Sequence, residues 1–209
     1  LLHTYDIHGP YAYLPDAEQI RIGPRDGASA RATDPACEAP WCGDRDAEWK
    51  RIRGIEHEQY QRLDRFEGLE QAVDAYDRGI RFVDSQLAAL FDRLREIGIY
   101  DSSLIVITSD HGESLYDHAI YLGHSYTLYD EEIRVPLLVR LPGGSPGRSS
   151  QLVQLMDVAP LILEAAGVSV PASIEGRNPI GRARAGAPEP AQVFGEASQT
   201  GARFARSRD

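Results

Sequence analysis

Residues 104–140 read LIVITSDHGESLYDHAIYLGHSYTLYDEEIRVPLLVR. The run Leu104–Thr108 is short, rich in β-branched residues and bounded by polar ones, the pattern of a buried strand. Asp110 and His111 then fall just past its C-terminal end, where open α/β sheets bind ligands. Three of the six histidines, His111, His118 and His124, lie within this stretch. A carboxylate and an imidazole on a stiff strand end supply the anionic oxygen and neutral nitrogen that a divalent metal takes as ligands. Asp-His-Gly alone also suits a plain turn, with Asp capping and Gly taking positive φ.

Upstream, Val73, Tyr76, Ile80, Val83, Leu87, Leu90, Leu94 and Ile97 alternate at spacings of three and four. This is one apolar stripe of an amphipathic helix within residues 56–97, expected to pack on the sheet. Gly98 follows as its terminator. Helix, short turn and strand form half of a βαβ unit, which predicts an α/β fold with a mixed, mainly parallel sheet flanked by helices. Residues 135–141 read VPLLVRL, a second buried strand, with Pro136 where a missing N–H is tolerated. Residues 152–167 predict another helix, N-capped by Asp157, with Pro160 in its first turn. Residues 168–209 are rich in Pro, Gly and Ala. A strand is expected to start at Gln192–Glu196, with no element closing on it afterwards.

At the other end, LLHTYDIHGPY (residues 1–11) reads as a short strand and a loop, with Pro10 holding the chain extended. His8 is either a substrate-facing imidazole or an ordinary loop histidine. Residues 13–75 are broken by Pro and Gly and read as a loop-rich and partly helical excursion, a candidate cover for an active site. Cys37 and Cys42 lie within it, as a small-loop disulfide or as two free thiols.

The 209 residues suffice for one sizeable core, and the formal net charge is −10. An acidic surface argues against nucleic acid or an anionic membrane as the main partner. It leaves room for an anionic substrate if a metal inverts the local field. No apolar run reaches membrane-span length.

Four segments, residues 2–11, 76–113, 123–143 and 155–177, together resemble the sulfatase family of the alkaline-phosphatase superfamily. They also resemble phosphonate monoester hydrolases, in which a histidine lies eight residues after the metal Asp, the interval from Asp110 to His118. The resemblance implies that Asp110 and His111 bind one divalent metal ion. Calcium is the ion expected of the family, and His111 in place of Asn favours Mn²⁺ or Zn²⁺. It implies that His8 contacts the transferred group or its leaving oxygen. His118 would face the ester oxygen as a proton donor, and His124 would contact the anion where relatives carry Lys. Glu113 would orient a histidine, and Arg134 would form a structural ion pair.

The implied reaction is hydrolysis of a sulfate ester on an anionic small molecule or glycan. The alternatives are a phosphodiester or phosphonate monoester hydrolase, a phosphoethanolamine-type transferase, or an inactive binding module. The family's formylglycine motif is absent, since Cys37 begins CEAPW and Cys42 begins CGDRD. The formylglycine and the paired aspartates of the metal site are expected upstream of Leu1. The chain then reads as the C-terminal part of a catalytic domain, inactive alone. A periplasmic or extracellular location goes with the family; a cytoplasmic one and the oligomeric state stay open.

Overall fold

The computed structural model describes residues 68–115, 118, 121–124, 127–197 and 200–208. The expectations for His8, Cys37, Cys42 and most of the 13–75 excursion lie outside these residues. The chain divides into two units, one of Leu1–Gly98 with Ser114–Gly123, the other of Ile99–Glu113 with His124–Asp209.

In the first unit, helix α1 spans Leu69–Glu96. Gly98 ends it at φ +75°, a conformation glycine takes without a Cβ penalty. The fully buried face is Ala72, Ala75 and Gly79, spaced three and four apart. The stripe of larger residues is half-buried to exposed, with Ile80, Leu90 and Ile97 in contact with solvent. Small side chains vanish from solvent as soon as backbone lies against them, whereas long ones keep their ends exposed. Arg93–Glu96 and Arg95–Asp92 pair at 2.8 Å on the solvent side, where such bonds add little. A short hairpin, β2 (Ser114–Leu115) and β3 (Tyr121–Gly123), belongs to the same unit.

In the second unit, β1 (Ile105–Thr108) follows a tight turn and pairs with β4 (Leu137–Arg140). The α/β class stands, but this pair is antiparallel, with Val106 opposite Val139. Parallel neighbours need a long crossover, usually a helix. Among the described residues between β1 and β4 the second unit has only the one-turn helix α2 (Asp130–Ile133). Neither strand is buried as expected: β1 is half-buried, and Leu138 of β4 is 56% exposed.

Arg140 fastens this strand pair to the turn before β1. Its Nη1 donates to the carbonyls of Tyr100 (2.7 Å) and Ser103 (3.0 Å). Its Nη2 meets Asp101 at 2.8 Å, and the guanidinium lies 4.2 Å from the Tyr100 ring centroid. A planar fork with several donors does this in a way a lysine ammonium cannot.

The helix expected over 152–167 is shorter. A 3₁₀ turn, Leu155–Asp157, leads into α3, Val158–Ala165, and Gly167 closes it at φ +72°. Asp157 stands at the N-cap position, but its carboxylate serves elsewhere. It accepts from the main-chain N–H of Gln154 (3.1 Å) and of Arg177 (2.8 Å). It thereby ties α3 to the chain that passes Gly176, where a side chain would strike the Met156 carbonyl.

Helix α4, Pro179–Arg184, was missed in the Pro- and Gly-rich tail. Asn178 caps it, accepting from Ile180 and Gly181, and donates to Glu164 at 2.8 Å. The predicted strand at Gln192–Glu196 is present as β5, and it is closed by β6, Arg203–Ser207, in an antiparallel hairpin. The expectation that nothing closes the chain is therefore corrected. Leu161, Pro160 and Val193 are buried in this unit. Among the described residues no helix is long and apolar enough to cross a membrane.

Arg140→Ala should lower unfolding stability by about 2 kcal/mol in chemical denaturation, since three carbonyl or carboxylate partners lose their donor. Asp101→Ala should barely move it, because that side chain is 95% exposed.

Candidate active site

The site grows from the end of β1. Thr108 Oγ1 donates to the Pro136 carbonyl at 2.8 Å, closing the strand pair at its last rung. Ser109 Oγ then donates to the His111 carbonyl at 2.6 Å, and the His111 N–H donates to Asp110 Oδ1 at 3.0 Å. These local bonds shape the Asp-His-Gly segment, in which Gly112 does not take the positive φ of the plain turn that the tripeptide also suits. Gly112 completes it: its N–H donates to the Glu132 carbonyl at 2.8 Å, and a Cβ there would collide with the Glu131 carbonyl oxygen.

His111 and His124 stack, with ring centroids 3.8 Å apart and planes inclined by 25°. His111 Nδ1 lies 2.7 Å from the Gly112 carbonyl. A carbonyl only accepts, so Nδ1 carries the proton and Nε2 keeps its lone pair when the ring is neutral. That Nε2 lies 3.8 Å from Asp110 Oδ1. His124 Nδ1 lies 3.3 Å from Glu113 Oε1, and the Glu113 side chain is only 8% exposed. A carboxylate fixes the orientation of His124 as a carbonyl fixes that of His111. The Asp110 side chain, by contrast, is 77% exposed.

The structure therefore brings Asp110, His111, Glu113 and His124 together within the second unit. His118 belongs to the hairpin of the first unit and is half-buried. His8 lies outside the described residues. Arg134 is exposed and, among the described residues, has no ion pair. The chain leaves α2 extended at Arg134, and Arg206 of β6 reaches Asp130 instead.

For a divalent metal the donor chemistry at the strand end fits: one exposed carboxylate and one imidazole with a free Nε2 held in a fixed tautomer. Among the described residues no group of three His, Cys, Asp or Glu side chains is placed to hold a metal ion.

Sequence reading missed Glu132 and Thr127. Glu132 is 4% exposed, and its carboxylate accepts the Thr127 hydroxyl. The three acids Asp130, Glu131 and Glu132 look alike in the sequence, and no local signal singles out the buried one.

The family model "Sulfatase" matches residues 1–168. The chain belongs to the sulfatase family. Arylsulfatase K of Xenopus laevis is 35% identical over 94 residues, 44% of this chain and 17% of the relative. N-acetylglucosamine-6-O-sulfatase of Bacteroides thetaiotaomicron is 34% identical over 109 residues, 51% of this chain and 19% of the relative. The crystal structure of a phosphonate monoester hydrolase of Agrobacterium radiobacter superposes with a TM-score of 0.55 at 28% identity. That match covers 65% of this chain and 28% of the hydrolase. The chain thus spans under a fifth of these relatives' length and under a third of that structure. Its fold is the alkaline-phosphatase-like α/β fold of these neighbours.

Gly112→Ala should separate the Asp110–His111 turn from α2. In this sulfatase-family chain the expected result is a drop in thermal stability and loss of the His111–His124 stack, read from the imidazole NMR signals of both rings.

Proposed function

We infer that this chain contributes the metal-binding strand end and an anion-contacting histidine to a sulfuric ester hydrolase of greater length. The observation that carries the reading is the constellation Asp110, His111, Glu113 and His124 in a chain whose family is sulfatase.

Asp110 and His111 Nε2 would hold a divalent cation. When bound, the cation polarises the ester oxygens and lowers the pKa of the attacking group. His124, oriented through Nδ1 by Glu113, offers Nε2 to an anionic ester oxygen and, when protonated, donates to it. The stacking of His124 on His111 sets its distance from the metal-binding pair. His118, as donor to the leaving oxygen, and His8, as contact to the transferred group, enter the reading by family resemblance alone. A formylglycine nucleophile likewise enters by family resemblance alone. The relative named for N-acetylglucosamine 6-sulfate supports a sulfated glycan as the substrate class. The phosphonate monoester hydrolase neighbour makes phosphorus esters the natural comparison substrate.

The full-length protein should hydrolyse an aryl sulfate with a higher kcat/KM than the matching aryl phosphonate monoester. The reverse order would assign it to the phosphorus branch. Asp110→Asn should reduce bound divalent metal, measured by elemental analysis, and lower kcat/KM by about 100-fold or more, because an anionic ligand is lost. Full metal content with intact turnover would remove Asp110 from the site.

A further inference from the structure

His124 is held twice. Its own ring is oriented by Glu113, and the loop that carries it toward α2 is fastened at Thr127. The Thr127 hydroxyl donates to Glu132 Oε1, and the Thr127 N–H lies 3.4 Å from Oε2. The main-chain carbonyl of the same Glu132 accepts the Gly112 N–H at 2.8 Å. One residue is therefore bonded through its main chain to the turn bearing Asp110 and His111. Through its side chain it is bonded to the loop bearing His124.

The burial of Glu132 makes this more than a surface tie. A buried carboxylate is costly to desolvate and persists only where donors are fixed around it. Hydrogen bonds to an ionised acceptor are short and strong, so the Thr127 tie is stiff. Histidine is shorter than lysine, so a His124 that reaches an anion from this loop depends on where the loop is held.

We propose that Glu132 is the positioning residue of the site. It sets the loop from which His124 approaches, and so fixes the 3.8 Å stack on His111 and the point where His124 meets the anionic group of the substrate. The proposal rests on the reading of His124 as an anion contact. Removing the Glu132 side chain breaks the Thr127 arm and spares the Gly112 bond, which is to the main chain. The metal-binding turn is left in place.

The test uses the full-length enzyme with an aryl sulfate, measuring kcat, KM, bound metal and Tm for five single variants and one double. Glu132→Ala and Thr127→Val should each raise KM about tenfold, the loss of one charge-assisted hydrogen bond, with metal content unchanged. Glu132→Gln keeps an acceptor and Thr127→Ser keeps the hydroxyl, so both should recover most of the affinity. The double variant Glu132→Ala/Thr127→Val should be no worse than Glu132→Ala alone. If Glu132→Ala does not fold, Thr127→Val with its Thr127→Ser rescue decides. A lower Tm or active fraction with unchanged KM in these variants overturns the positioning role. His124→Ala separates the two readings. If it leaves KM unchanged, the anion-contact assignment fails and the proposal falls with it. If it raises KM while Glu132→Ala and Thr127→Val do not, the positioning role alone is overturned.

Discussion

The second unit depends on the close approach of two backbones at Gly112. Its N–H bonds to the Glu132 carbonyl, and the space a side chain would need is filled by the Glu131 carbonyl oxygen. Glycine is the one residue that permits such an approach without a clash. The contact joins the segment after β1 to α2, through positions twenty residues apart in sequence. Within the same unit the ring of His124 stacks on that of His111.

Much of this was legible along the chain, for reasons that particular residues make clear. The alternation of Val73 through Ile97 marked α1, and Gly98 marked its end, because both signals are local. The strand before Asp110 and His111 was legible for the same reason, as a short run of β-branched residues. The pairing of β1 with β4 was not. Strand direction is decided by what lies between the strands, and the hairpin and one-turn helix there carry no strong periodicity. Helix α4 was also hidden, although Asn178-Pro179 is a good start signal. Six residues with two glycines nearby do not build a pattern that stands out from a loop.

Asp157 was expected to cap the following helix and holds that position without a side-chain cap bond, and Arg134 was expected to pair with a nearby carboxylate. In the fold, Asp157 binds the N–H groups of Gln154 and Arg177, the second of them twenty residues on, and Asp130 is taken by Arg206 from the C-terminal hairpin. For Asp157 the long-range bond satisfies a backbone N–H that would otherwise lack a partner, which costs more than an exposed ion pair returns.

Burial also sorts the carboxylates by task. Glu132 and Asp157 are buried, and both bond to groups that fix loops and helix starts. Glu113 is nearly as buried and is turned on an imidazole instead of backbone. Asp110 alone among these four stays open to solvent, with Oδ1 bonded to the next N–H and 3.8 Å from a histidine nitrogen whose lone pair is free. A carboxylate used as scaffolding has its oxygens covered by donors that cannot leave. A carboxylate meant to take a cation must keep an oxygen uncovered until the cation arrives, and in an acidic chain the repulsion among such groups favours binding one. On the reading of Asp110 as a metal ligand, its exposure is the property that role would require, and it separates this residue from its three buried counterparts more sharply than its place in the sequence does.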